Sequence, residues 1–341
     1  MTDADPLLAV DDLRTHIHTD DGLVRAVEGV SFSVDRGEAV CLVGESGSGK
    51  SVTCESLTGL VPSPPAERVG GSVRFDGEAL GEGDLRSVRG DRIGHVFQNP
   101  QHALDPVYTV GEQLVEAVTT HRDVDDEAAR RVAVERLRRV GIPNPAARVD
   151  DYPHEFSGGM RQRVAIAIAL AADPDLLIAD EPTTAVDVTV QARLLGLFRD
   201  LLDDGMGLLL VTHDLRVVSE IADRVLVLFG GTIVERGPVE AVFDRPAHPY
   251  TQALFGSYDG VARRPDRPAR SEVPDDGCRF RAECPHAVDA CAGGEQPPAH
   301  SVDGDHTHRA SCVHYDDGDR LAEVRAAARD ARPLARGEGD D

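Results

Sequence analysis

Residues 44–51 read Gly44-Glu45-Ser46-Gly47-Ser48-Gly49-Lys50-Ser51. Closely spaced glycines let successive backbone N–H groups curl around an anion, and a helix opening at Lys50 adds the positive end of its dipole. Lys50 would bring a point charge to the β- and γ-phosphates of a nucleoside triphosphate, and Ser51 a hydroxyl to Mg²⁺. The plain alternative is a glycine-rich turn with no ligand. The flanks decide against it: an apolar strand-like stretch, residues 38–43, enters the turn, and a helical stretch leaves it until Gly59 and Pro62. Lys50 is also the only lysine in the chain. Arginine, with a larger planar fork, does not replace it in so cramped a phosphate site.

A second apolar run, residues 176–179, ends in Asp180 and Glu181. Asp180 is placed to hold Mg²⁺ through water, beside Ser51, and Glu181 to polarise an attacking water as general base. Alone, such a pair is more often a solvated strand end. Downstream of a phosphate loop it gains its meaning. Between the two lies Phe156-Ser157-Gly158-Gly159-Met160, a second helix start with a hydroxyl and exposed glycine backbone suited to an anion.

This Ser157-Gly158-Gly159 stretch resembles the signature of the ABC ATPase superfamily, and the other motifs stand in that family's order. The resemblance implies that Gln98, in Val-Phe-Gln-Asn-Pro, contacts Mg²⁺ and senses nucleotide. It makes Asp187 the D-loop aspartate and His213, in Val-Thr-His-Asp-Leu, the histidine that touches the γ-phosphate. It further implies a head-to-tail dimer. Each ATP is sandwiched between one chain's phosphate loop and the other's Ser157, Gly158 and Gly159. The catalytic set is then Lys50, Gln98, Glu181 and His213. The sequence departs from the family where an aromatic ring stacks on adenine, since Thr15-His16-Ile17-His18 has only imidazoles to offer.

Downstream, Gly231 to Gly237, His248-Pro249-Tyr250-Thr251, Cys278, Cys284, Cys291 and Cys312 look like the C-terminal extension of the dipeptide and oligopeptide importer ATPases. Ser51-Val52-Thr53 and Met160 match their D-type subunit. The implied partners are an F-type homologous ATPase, two membrane permeases and, indirectly, an extracellular solute-binding protein. Nickel or another small solute is the alternative cargo. A soluble ATPase acting on nucleic acid or ribosomes is the reading from another class. It is disfavoured because only 107 positions separate Lys50 from Ser157, too few for a coiled-coil arm, and there is one nucleotide unit. A non-hydrolysing regulatory subunit is disfavoured by the presence of Lys50, Glu181 and His213.

Four clustered thiols in a reducing compartment argue for metal over disulfides. The close Cys pairs usual for zinc are absent. The resemblance implies a [4Fe–4S] cluster on Cys278, Cys284, Cys291 and Cys312. Zinc, with His286 and His314 nearby, and no metal at all stay open. Cys41 and Cys54 flank the phosphate loop and read as buried packing.

The elements that must position these groups follow from hydrophobic period. Strands are predicted at 7–12, 23–35, 38–43, 71–76, 92–97, 176–179, 208–211 and 225–229, and helices at 50–60, 188–203 and 214–222. Alternating β and α units imply a parallel sheet covered by helices. With the resemblance, the expected fold is α/β. It is a P-loop NTPase of the ABC type, with a mainly parallel core sheet, an antiparallel β subdomain, an inserted α-helical subdomain and a small Cys-rich extension. The expected division is 1–240 for the nucleotide-binding domain (helical part about 99–172), 241–316 for the extension and 317–341 for a disordered tail.

Composition bounds the rest. The 341 residues hold 60 Asp and Glu against 36 Lys and Arg, a net charge of −24, which repels nucleic acid and anionic lipid. Discarding lysine while collecting carboxylates fits a high-salt cytoplasm, where screening tolerates such a charge. Coding bias toward arginine explains the missing lysine but not the carboxylates. The acidic N-terminus lacks the features of a signal peptide and no apolar run reaches the ~20 residues that span a bilayer. The expectation is a soluble protein, peripheral at the cytoplasmic face of the membrane.

Overall fold

Two sheets share the alternation and the apolar runs between them. The computed structural model describes residues 5–81, 83–98, 103–184, 186–258, 273–302, 304–316 and 321–330. The first sheet is antiparallel, in the order β2-β1-β4-β5: β1 Leu8–Thr19, β2 Gly22–Val34, β4 Ala66–Phe75 and β5 Glu78–Ala79. The second has eight strands in the order β11-β12-β10-β9-β3-β8-β7-β6. Its parallel part holds β3 Ala39–Val43, β6 Ile93–Val96, β7 Leu176–Asp180, β8 Gly207–Val211 and β9 Arg224–Phe229. Antiparallel β10 Thr232–Pro238, β12 Asp305–Ala310 and β11 His300–Val302 extend one edge.

The central strands are apolar throughout because both faces are covered. In β3, Val40 and Leu42 enter the core shared with the antiparallel sheet, whereas Ala39, Cys41 and Val43 enter the core under the helices. β7 divides the same way, with Leu176 and Ile178 on one side and Leu177 and Ala179 on the other. Cys41 and Cys54 are fully buried in these cores, as packing requires.

Residues 103–172 supply helices Val110–His121, Asp126–Arg139, Pro145–Arg148 and Gly158–Ala169. Their starts are marked by side chains that accept the orphan backbone N–H groups. Thr109 and Glu112 form a reciprocal capping box, and Asp125 and Ser157 cap the second and fourth helices. In the second, Ala129, Ala133 and Leu137 form the buried stripe.

The sequence expectation falls short beyond residue 230. Strand β10 was not anticipated, and the extension does not stand apart, because β12 pairs with β10 at Glu235↔Ala310 and Arg236↔Arg309. The join is a buried polar knot. Glu235 accepts from Ala247 N at 2.8 Å, His248 N at 2.7 Å and His308 Nε2 at 2.8 Å, with both side chains shut off from solvent. Glu235→Ala would strand these donors in the interior, at about 1–3 kcal/mol for each. It is expected to lower stability by about 3 kcal/mol or more, seen as an earlier urea midpoint. The tail differs too. Residues Leu321–Asp330, expected to be disordered, form a helix whose Val324 is buried and whose Val324 carbonyl accepts from Gln252 Nε2 at 3.0 Å. The rest of the 317–341 segment lies outside the described residues. No helix among the described residues is long and apolar enough to cross a membrane.

Candidate active site

The strand β3, the turn 44–49 and the helix Lys50–Thr58 form one continuous unit. Gly231 N donates to Ser48 O at 2.9 Å and Glu28 N to Gly231 O at 2.8 Å, so β2 and the β9–β10 turn clasp the loop from outside. From the extension, Tyr250 Oη accepts from Glu45 N at 3.0 Å. The sequence had marked Tyr250 only as part of the family's extension. Nothing local signals its reach into the loop, 205 positions away.

Lys50 is nearly buried and its ammonium donates to Gly44 O at 2.9 Å and Glu45 O at 2.7 Å. Burial holds its pKa below the usual lysine value, against the opposing pull of Glu181 and Asp180. The Ser48 hydroxyl is buried within the loop with no partner among the described residues. A loop with a curled backbone, a buried ammonium and an unused hydroxyl suits an oxyanion.

Asp180 closes β7, is buried, and has one carboxylate oxygen, Oδ1, with no hydrogen bond among the described residues. The Ser51 hydroxyl bonds to the same carboxylate. Burial, with the charge of Glu181, raises the pKa of Asp180 above the ordinary range, and Ser51 and Lys50 only partly offset this. Ser51, Gln98 and Asp180 together line a cavity of about 520 Å³. Oxygen donors with one orphaned buried carboxylate oxygen fit Mg²⁺, a hard cation that keeps several of its waters.

Glu181 leaves the strand in the left-handed region, at φ 48°, which turns its side chain off the line of β7. Its carboxylate accepts from Thr184 Oγ1 at 2.9 Å, lies 3.2 Å from His213 Nδ1, and is bonded by Gln98. Burial pushes the carboxyl up, but the three hydrogen bonds win and leave its pKa below the usual glutamate value. Thr184 is thus a residue that sequence reasoning missed; it sits three positions along the same turn, one more threonine in a polar loop. Removing its bond raises the Glu181 pKa, so Thr184→Val is expected to move the acid limb of the ATPase pH profile to higher pH. The sign follows from the base: activity is lost as pH falls through the pKa of Glu181, and a higher pKa brings that loss earlier.

The structure gathers Lys50, Ser51, Asp180, Glu181, Gln98 and His213. The loop residues 44–49 surround Lys50, but the structure does not bring in Ser157, Gly158, Gly159 or Asp187. Ser157 and Gly158 are exposed at the start of their helix, where Ser157 Oγ accepts from Met160 N. Asp187 caps the helix Val188–Asp203 through Val190 N at 2.9 Å. Among the described residues no hydrogen bond joins Ser157, Gly158, Gly159 or Asp187 to the loop. In the stretch 15–18, Thr15 is buried against Ser56 (2.8 Å) and His16 Nε2 is 2.8 Å from Glu28 Oε2.

The four cysteines of the extension lie within electrostatic reach of one another. Backbone N–H groups donate to three of the sulfurs: Phe280 and Arg281 to Cys278, His286 to Cys284, and His314 to Cys312. Burial pushes Cys284 up to about 11 and Cys312 to about 12. The donor type suits a metal centre, but no group of three or more His, Cys, Asp or Glu among the described residues is arranged to hold a metal ion.

Against known proteins, residues 27–184 match the ABC transporter family, and residues 234–291 match the oligopeptide/dipeptide transporter C-terminal region. A peptide import ATP-binding protein of Brucella abortus is 47% identical over 84% of this chain and 89% of its own length. The oligopeptide transport ATP-binding protein OppD of Bacillus subtilis is 43% identical over 91% of this chain and 90% of its own. The chain belongs to the ABC transporter ATP-binding proteins, in their oligopeptide-transport branch. Among solved structures of ABC proteins, a dimeric post-hydrolysis state of the ATP-binding cassette MJ0796, bound to ADP and Pi, superposes with a TM-score of 0.62. It is 28% identical and covers 68% of this chain and 98% of that one. CbiO1 of Clostridium perfringens, part of a CbiONQ transporter complex, gives 0.59 at 26% identity, covering 74% of this chain and 95% of that one. The P-loop ABC ATPase fold and the ATPase activity coupled to transport follow from this membership.

Proposed function

We propose that this chain is the ATP-hydrolysing subunit of a dipeptide or oligopeptide importer, acting at the cytoplasmic face of the membrane. It would work with two permeases, an F-type homologous ATPase and an external binding protein. One observation carries the mechanism: Glu181, held ionised by Thr184, His213 and Gln98, stands beside Asp180 at the mouth of the loop that carries Lys50. Relatives named for peptide import at this level of identity supply the cargo class.

In this reading the loop 44–51 grips the phosphates by backbone N–H groups, and Lys50 exchanges its two carbonyl partners for phosphate oxygens. Ser51, Gln98 and Asp180 would hold Mg²⁺, which would supply positive charge opposite the phosphates. Glu181 takes the proton of the attacking water, and His213, already next to Glu181, fixes the γ-phosphate end. Exposed Ser157 and Gly158, half-buried Gly159, and Asp187 complete the site on a second ATPase, which is why no hydrogen bond among the described residues joins them to the loop of their own chain.

Residues 1–240 are assigned to the nucleotide-binding domain, with its helical part at about 99–172, and residues 241–316 to the extension. The four cysteines are assigned a structural or regulatory [4Fe–4S] cluster, supported by the N–H donation to their sulfurs. Iron and acid-labile sulfide in anaerobically purified protein are expected, and a colourless, iron-free preparation overturns the assignment. The carboxylate excess is assigned to a high-salt cytoplasm; the thermal midpoint is then expected to rise with KCl into the molar range.

The deciding experiment is ATPase activity of the full importer in proteoliposomes. Stimulation by binding protein loaded with di- or oligopeptides is expected. Stimulation by a nickel-loaded binding protein instead, or by nucleic acid in the absence of permeases, overturns the peptide reading.

A further inference from the structure

Three arginines converge where the extension meets the N-terminal sheet: Arg224 opens β9, Arg236 lies in β10 and Arg309 in β12. Arg236 and Arg309 are directly opposite on antiparallel neighbours, so their side chains leave the same face of the sheet. Like charges so placed destabilise a sheet. Burial, and then the charges of Arg309 and Arg224, hold the Arg236 guanidinium below its usual value.

This chain has carboxylates to spare, 60 against 36 Lys and Arg. Yet among the described residues neither Arg236 nor Arg309 forms an ion pair with any of them. Arg236 Nη1 donates to Ser31 O at 3.0 Å, and Arg309 Nη2 donates to Ala299 O. Arg309 Nε is buried with no partner among the described residues. Arg224 donates to Ser33 O at 2.7 Å and does pair with Glu38, at 3.0 Å. Capping the carbonyls of β2, an edge strand, explains one donor of Arg236 and one of Arg224. It leaves most of the five N–H donors of each guanidinium, and it leaves the charge.

The arginines and His306 line a cavity of about 430 Å³ with Phe32 and Leu226 in its wall and, among the described residues, no Asp or Glu in its lining. Arg236 and Arg309 also border a second cavity, of about 450 Å³, whose lining mixes arginines with carboxylates such as Glu28 and Glu295. We propose that the arginine-lined cavity between β2, β9, β10 and β12 is a binding site for a small organic oxyanion, phosphate- or carboxylate-bearing, with an apolar part against Phe32 and Leu226. It shares no residue with the triphosphate site. A bound anion bridges the extension, through Arg309, to the N-terminal sheet, through the Arg side chains seated on β2.

The test uses the full chain in a Lys50→Ala background, so that the phosphate loop does not supply the response. Thermal midpoints are measured with pyrophosphate, with citrate, and with KCl at matched ionic strength. At least one of the two anions is expected to give a saturable rise of ~3 °C beyond chloride; pyrophosphate alone identifies a phosphoryl ligand and citrate alone a carboxylate. Arg236→Gln and Arg309→Gln are each expected to abolish the rise. Each should leave the anion-free midpoint equal or higher, because a like-charge contact is relieved. No rise beyond chloride, a rise undiminished in both variants, or a lower anion-free midpoint in both overturns the proposal, the last by showing that the arginines serve the fold.

Discussion

Glu181→Gln is expected to cleave ATP about 10²–10⁴-fold more slowly than the native chain, the usual contribution of a positioned general base, while still binding ATP. The amide is nearly isosteric and its oxygen still accepts the Thr184 hydroxyl, whose bond at 2.9 Å now holds the carboxylate. Its neighbours Lys50, Ser51 and Asp180 are untouched, so the cradle for phosphate is intact. What disappears is the basic oxygen pair, which three hydrogen bonds keep ionised despite burial. Binding without cleavage should accumulate the closed pair of ATPases, visible as ATP-dependent dimer by light scattering with ATP retained after gel filtration. Single-turnover rates separate this from slow product release. Cleavage at the native rate would mean that another group takes the proton, and His213, 3.2 Å from Glu181, would be the next candidate.

The parts of this site that were legible in the sequence are those whose physics is local. A phosphate loop is a run of eight residues, and its chemistry is written in their types. Strands β3 and β8, and β7 up to Asp180, are apolar because both faces are covered, and a run such as Leu176–Ala179 has no other use in a chain this acidic. The helix Val188–Asp203 has the bounds that its pattern predicts, and the structure adds Asp187 as its cap. The illegible parts are held by partners far along the chain. Strand β10 carries Glu235 and Arg236 in its middle, which reads as solvated loop until His308 is found against Glu235, 73 positions away. Strand β1 runs on to Thr19 through His16 and His18 because β2 and β4 pair with it on both sides, with bulges that break the alternation. The helix Leu321–Asp330 looked like a charged tail because one buried residue, Val324, and a bond from Gln252 anchor it. Local pattern reports the face that an element buries, and these elements bury polar groups against distant ones.

Gly49→Ala is expected to be far more disruptive than Gly47→Ala, its control in the same loop. Both glycines occupy the left-handed region, at φ 105° and 80°, so a side chain at either brings backbone strain of about 1–2 kcal/mol. Their surroundings differ. Among the described residues a methyl at Gly47 meets nothing within 4 Å, whereas at Gly49 it would lie 2.2 Å from the Ala26 carbonyl oxygen and 3.5 Å from Gly231 Cα. The first contact is with backbone, and β2 cannot retreat freely, because Glu28 N is bonded to Gly231 O and Gly231 N to Ser48 O on the same side of the loop. Relief therefore comes from displacing the loop, and with it the carbonyls of Gly44 and Glu45 that now hold Lys50. Gly49→Ala is expected to lose about 3–5 kcal/mol of stability, the range reserved for severe steric lesions, and to weaken ATP binding at least ~100-fold, about 2.8 kcal/mol. Gly47→Ala should cost only the ~1–2 kcal/mol of strain in urea denaturation. Equal losses in the two variants would show that conformation alone governs the loop, and that its clasp by β2 and the β9–β10 turn contributes nothing to the grip on nucleotide.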